Sequence, residues 1–474
     1  MSKRLMIEPV TRVEGHAKIS IYVDDAGEVQ SAQFHVLEFR GFEKFAEGRP
    51  FHEMPGLMSR ICGICPVSHV LASAKAGDQL LGVEVPSPAV KQRRLVNLAQ
   101  LLQSHALSFF HLSSPDLLLG MDAPPEERNL FGLIEREPEF IRSGIRLRQF
   151  GQRIIELCGG KRIHPSWGAP GGVTQVLVSE QRDEIASWLP EAYRTVTSAL
   201  ERMKRLTESF PAEIAAMGAF PTLFLGTVNE DGSAEYYDGH IRIVDSEGNT
   251  VADKLDPHRY HSYLGEASEE WSFVKFPYYK PMGYPTGKYR VGPLARLNVA
   301  DRMSTPLANR ELREFKQLSV GAVCESFYYH QARLIEMLHA VEMIEELVAD
   351  PELLSPHVRA KAGLNRYEGV GSCEAPRGTL FHHYQVDHGG LMTKVNLLIA
   401  TSQNNLAMNE AVEQAARRFV SPGNLTEGML NRVEAAIRCF DPCLSCSTHA
   451  IGQMPLRIEV RDRSGRLLEQ VARG

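Results

Sequence analysis

The chain has 474 residues, 43% hydrophobic and 23% charged, with a formal net charge of -6 and a pI near 6.3. That length accommodates two or three domains or one large interwoven unit. The acidic balance lacks the footprint of a nucleic-acid binder, and no run of roughly 18 apolar residues is present to span a bilayer.

Residues 1–8 lack the apolar run of a secretory signal. The expected compartment is the cytoplasm, although a partner's signal can carry a chain across a membrane. In chain order, a β-hairpin comes first, within residues 1–40. Ile19, Ile21 and Val23 alternate with polar residues, Asp24-Asp25-Ala26-Gly27 turns, and a second extended run reaches Val36. From about residue 68 the period changes. Leu95, Leu98, Leu102, His105, Phe109 and Leu112 mark one face of a long helix. Further helical stretches are predicted near 138–157, 178–208, 308–349 and 403–419. A last helix is predicted from Asn424, with Glu427 three residues on as in a capping box, running into Asp441-Pro442-Cys443. Between about 219 and 300 the helical period gives way to an irregular, β-containing insertion with strand-like residues 241–244. Another hairpin is predicted at Asp387-His388-Gly389-Gly390. The fold class is therefore α+β, mainly helical, with small antiparallel sheets at its edges.

Eight cysteines are too few for a disulfide scaffold in a chain this long. Cys62 and Cys65 form one C-x2-C pair, Cys443 and Cys446 another, and Cys158, Cys324, Cys373 and Cys439 are scattered. Two intervening residues let one metal take both sulfurs, and four thiolates suit zinc, iron–sulfur or a late first-row metal. Structural zinc motifs keep their pairs within about 15–20 residues, whereas these stand near opposite ends of a chain with ample core of its own. Each pair also carries a histidine, His69 or His449, of the kind that tunes a reactive metal. His382, His383 and His388 show no ligand spacing and read as ordinary strand and turn residues.

R-I-C-G-I-C-P-V-S-H at 60–69 and D-P-C-L-S-C-S-T-H at 441–449 resemble the two signatures of nickel–iron hydrogenase large subunits. The resemblance extends to P-V-T-R-V-E-G-H at 9–16, R-G-F-E at 40–43 and E-A-P-R-G at 374–378, and more loosely to His111–Asp116. In detail the chain is similar to the large subunit of soluble NAD-reducing hydrogenases. That resemblance implies a large-subunit fold with a central helix bundle. It implies nickel bound by all four cysteines, Cys62 and Cys443 terminal, Cys65 and Cys446 bridging to an iron that carries two cyanides and one carbonyl. Cys443 is then a base for the proton of heterolytic H2 cleavage and Glu14 the acceptor beyond it. Arg377 is expected over the open face of the metals, held by Asp116 and Asp441. His69 is expected to hydrogen-bond a bridging sulfur, and Glu43 and His449 to bind Mg2+.

The same resemblance implies partners: a small subunit with iron–sulfur clusters, flavin (FMN) and NAD diaphorase subunits, metallochaperones and a maturation protease. Residues 1–449 are expected to form one interwoven catalytic domain, and 450–474 an extension removed after His449, with a short hairpin at 456–466 onward. NAD and NADP remain open as acceptors. A hydrogen sensor with the same centre, a metal-free relative like a structural subunit of respiratory complex I, and a zinc-stabilised module are the alternatives.

Overall fold

The computed structural model describes residues 3–421 and 424–449, and the backbone of the strands Leu456–Arg461 and Leu467–Arg473. Its centre is a set of long helices. Ser87–Ala106 packs between Pro138–Gly159 and Tyr329–Ala349, and the latter also packs on Ser179–Thr207. Their faces follow from composition. Pro138–Gly159 and Ser179–Thr207 bury one stripe, whereas Tyr329–Ala349 is buried almost all round and so lies in the core. Prolines open several helices at the first turn, where a missing N–H is harmless. Pro66 does this for Pro66–Leu81, immediately after Cys65.

Three sheets of three or more strands flank the helices among the described residues. The N-terminal hairpin, Ala17–Val23 with Val29–Val36, takes Lys3–Ile7 as a third antiparallel strand. A four-stranded sheet runs Tyr289–Arg290, Leu223–Val228, His240–Val244, Thr250–Leu255, and its first pair is parallel. The hairpin at 387–390 joins Gly378–Val386 to Met392–Leu398, with Glu368–Ala375 completing a third sheet. That sheet lies deeper than an edge: Glu368–Ala375 packs directly on Pro66–Leu81. Gly371 permits the approach, since a Cβ there would stand 1.9 Å from Ala72 O.

Three boundaries differ from the sequence expectation. The stretch 308–349 is two helices, Pro306–Lys316 and Tyr329–Ala349, because the intervening chain turns to pair Ala322 N with Ser246 O at 3.1 Å. The last helix is Glu427–Phe440, capped by Thr426, whose hydroxyl accepts from Met429 N. Glu427 is its first residue, not the third position of a capping box begun at Asn424. The long helix also ends earlier, Leu107–Ser113 being π-helical, a geometry found mostly as local bulges. The C-terminal strands pair antiparallel as expected, while the turn expected at 463–466 lies outside the described residues. Among the described residues no helix is long and apolar enough to cross a membrane.

Candidate metal centre

The two ends of the chain meet at the start of one helix and the end of another. Pro66–Leu81 begins right after the first cysteine pair, and Glu427–Phe440 stops right before the second. Asp441 ends that helix in the left-handed region (φ 51°), which Asp tolerates better than most residues, and Pro442 prevents its continuation. The segment 40–43 ties the second pair down, with Arg40 N and Gly41 N both donating to Thr448 O. Arg40 also donates through its side chain to Ile61 O, bridging to the first pair. Cys443 N is fixed by Thr401 Oγ1 at 3.0 Å.

The result is a group of four buried sulfurs whose ligand atoms all lie within 4.8 Å of one another. Cys62 and Cys443 are 3.3 Å apart, Cys65 and Cys446 3.3 Å, Cys443 and Cys446 2.9 Å, and none is in a disulfide. The hydrogen bond from Cys443, then those from Cys446 and Cys65, pull Cys62 well below a normal thiol, whereas burial raises Cys443 and Cys446 well above it. Such a set cannot hold four negative charges in the dry interior without a cation among them, so its chemistry fits a thiolate-bound metal. Burial pushes Cys158, Cys373 and Cys439 up to about 12, leaving them inert thiols.

Beside the sulfurs stand Glu14 and Arg377. Glu14 Oε2 accepts from Cys443 Sγ at 3.1 Å and from Ser445 N at 3.0 Å. Arg377 is buried, and its Nε donates to Asp441 O, its Nη1 to Ser104 Oγ at 3.4 Å, while Nη2 lies 3.0 Å from Asp441 Oδ2. Burial opposes its charge, but Asp441 and the nearby sulfurs of Cys443, Cys65 and Cys62 hold the guanidinium more firmly protonated than usual.

Asp116 corrects the expectation. It pairs with Arg12 at 2.5 Å and Arg438 at 3.0 Å, and Asn431 donates to it. Its carboxylate sits on Ser114–Leu119, facing the last helix, so Ser104 takes the place beside Arg377. Burial alone would raise Asp116, and Arg438 and Arg12 bring it below its ordinary value.

His69 is buried and, through burial, lowered to about 4. Its hydrogen bond is not to a sulfur: Nδ1 meets His382 Nε2 at 3.1 Å, and His382 Nδ1 meets the Tyr384 hydroxyl at 2.7 Å. His382, read as an ordinary strand residue, therefore backs the site, while His383 pairs with Glu368 nearer the surface. Glu43 accepts from Leu397 N at 2.7 Å, and burial pushes its carboxyl up to about 7. His449 packs edge-on against Phe42, the neighbour of Glu43, and both its ring nitrogens are buried without a hydrogen-bond partner among the described residues.

Sequence reasoning missed Ser104, Thr401, Ser445 and His382. Only Ser445, inside the C-x2-C spacing, carried a positional signal.

The comparisons with known proteins agree with this geometry. A family model described as nickel-dependent hydrogenase matches residues 40–124 and 217–449, and one described as HoxL-like matches 4–39. The chain is 43% identical to the NAD-reducing hydrogenase HoxS subunit beta of Cupriavidus necator, over 100% of both chains. It is also 43% identical to a chain of the F420-non-reducing hydrogenase vhu of Methanococcus voltae, over 87% of this chain and 98% of that one. A crystal structure of an NAD+-reducing [NiFe]-hydrogenase in the H2-reduced state superposes with a TM-score of 0.92 and 47% identity, covering 94% of this chain and 99% of that one. The chain belongs to the nickel-dependent hydrogenase family, as a large subunit.

Proposed function

We propose that this large subunit performs the reversible heterolytic cleavage of H2 into protons and electrons. The observation that carries the reading is the buried four-sulfur group with Glu14 hydrogen-bonded to one sulfur and the Arg377 cation beside it. Cys62, Cys65, Cys443 and Cys446 would hold a nickel–iron centre, the iron bearing two cyanides and a carbonyl. By the family resemblance, Cys62 and Cys443 would be terminal ligands and Cys65 and Cys446 bridging ones. When bound, such a centre supplies the Lewis-acid and redox chemistry that polarises H2 and takes up its electrons.

The remaining work falls to side chains. Cys443 Sγ hands a proton to Glu14 Oε2, which lies within the reach a general base needs. Ser445 N fixes that carboxylate. Arg377, which keeps its proton, orients the site and holds a constant positive field, with Asp441 locking its plane. Burial of all four sulfurs excludes bulk water.

Glu43 and His449 are assigned to Mg2+. The orphaned nitrogens of His449 and the buried carboxyl of Glu43 support this. Residues 1–449 are read as one interwoven domain, supported by the hydrophobic cluster that runs from Ile7 to Cys446. The extension 450–474 is assigned as removed after His449. Electrons are assigned first to a small partner with iron–sulfur clusters and then, through an FMN-bearing diaphorase, to NAD(P) in the cytoplasm. Full-length similarity to an NAD-reducing relative supports this reading.

Metal analysis and infrared spectra of the purified complex test the reading. Equimolar nickel and iron, carbonyl and cyanide bands, and H2-dependent NAD(P) reduction are expected. Zinc alone, or no metal in a processed chain, overturns it.

A further inference from the structure

Beyond Glu14, a continuous run of polar side chains leads away from the sulfurs. Ser445 Oγ lies 2.5 Å from Glu14 Oε1 and 3.4 Å from Glu38 Oε2. Glu38 Oε1 lies 2.5 Å from His16 Nδ1. Exposure rises along the run: Cys443 is buried, Glu14 and Ser445 are partly buried, the Glu38 side chain is 25% exposed and that of His16 76%. We infer that protons leave the site along Glu14, Ser445, Glu38 and His16, reaching the surface of this chain at His16. The inference rests on Glu14 as first acceptor.

Chemistry and backbone both favour a relay over an incidental cluster. A serine hydroxyl has one hydrogen, so Ser445 cannot donate to both carboxylates at once. The second contact becomes a hydrogen bond only when that carboxyl carries a proton. One extra proton therefore has a place at either end of the bridge. The backbone holds the ends in register, because Leu37 N donates to His16 O at 3.2 Å and Leu444 N to Glu14 O at 3.1 Å. Gly15 makes the turn between Glu14 and His16 at φ +90°, where a Cβ would stand 2.7 Å from Leu444 Cβ and 3.5 Å from Glu38 Oε2.

The transfer balances without electrons. The proton received on Glu14 Oε2 reaches the Ser445 side by rotation of the Glu14 carboxyl, and it then bonds to Ser445 Oγ as the hydroxyl's own hydrogen passes to Glu38 Oε2. Glu14 returns to carboxylate and Glu38 becomes a carboxylic acid. After rotation of the Glu38 carboxyl, its proton passes to His16 Nδ1, and the imidazolium releases one from Nε2 to water. Histidine is the side chain suited to exchanging protons near neutral pH.

The test uses the assembled hydrogenase. Glu38→Gln is expected to lower steady-state H2 oxidation about tenfold and to enlarge its solvent isotope effect, with nickel and iron content unchanged. Glu38→Asp should recover part of the rate. His16→Ala should slow turnover, and added imidazole should restore it, which a purely structural role would not allow. Unchanged rate and isotope effect in Glu38→Gln overturn the relay. Loss of metal in Glu38→Gln together with a His16→Ala enzyme that imidazole does not rescue also overturns it. Glu14→Gln separates the two readings. Full activity there sinks Glu14 as first acceptor, whereas an inactive Glu14→Gln beside a fully active Glu38→Gln sinks the relay alone.

Discussion

Cys443 Sγ donates to Glu14 Oε2 at 3.1 Å across 429 residues of sequence, and the two residues also form a parallel backbone bridge. The backbone pairing sets the distance, so the carboxylate does not have to be held by the sulfur. Glu14→Gln keeps the shape and removes the base. It should lower turnover by about 10²–10⁴-fold with metal content and melting temperature unchanged. Gly15→Ala should also lower turnover in a folded protein, because its Cβ would push Leu444, and with it the pairing, away from Glu14. A Gly15→Ala enzyme at parental rate would show that the pairing is not needed.

Arg377 reaches Asp441 through its backbone oxygen and its carboxylate, and Ser104 through a third contact. Lysine offers a point charge instead of this fork. Arg377→Lys should keep the four cysteines loaded while lowering activity about a hundredfold. The checks are metal analysis alongside kcat, and loss of metal in proportion to activity would contradict the prediction.

Arg296 is fully buried. It donates to both oxygens of Glu336, at 2.6 and 2.7 Å, to Glu374 at 2.8 Å, and to the carbonyls of Ala375 and Pro376 just before Arg377. Breaking such a pair leaves an uncompensated buried charge, at a cost of roughly 3–5 kcal/mol. Glu336→Gln should therefore destabilise the chain by about 3 kcal/mol in denaturant melts. It should also loosen the segment that aims Arg377. A loss below about 1 kcal/mol would mean that His105, Tyr236 and Glu374 compensate.

His339 is buried, bonded to Thr305 Oγ1 at 2.8 Å, and burial holds its pKa down to about 4 from an ordinary 6.5. The native ring stays neutral while the unfolded ring protonates first. Its contribution is thus fully present above pH 6.5 and is lost as pH falls towards about 4. The slope is ~1.4 kcal/mol per pH unit. Denaturant melts of parent and His339→Gln between pH 7 and pH 4 check this: the parent should lose more stability by up to about 3 kcal/mol. Parallel pH profiles would contradict it.

The sequence alone determined the fold class, the positions of the N-terminal hairpin and of most long helices, and the four cysteines of the candidate metal centre. These are local or spacing properties: alternation and the 3.6 period report which face is buried, and a C-x2-C pair is a complete two-ligand unit wherever it sits. It could not determine who partners whom across the chain. Asp116 closes a block, 111–116, that resembles the family, yet its carboxylate faces Arg12 and Arg438, and Ser104 stands by Arg377 instead. His382 looked like one of three unremarkable histidines, and only sheet packing on Pro66–Leu81 places its ring against His69. Glu38 and His16 become neighbours through the register of one hairpin and the turn at Gly15. Each of these relations joins side chains from separate elements, so it is decided by helix and strand packing angles that no local pattern encodes.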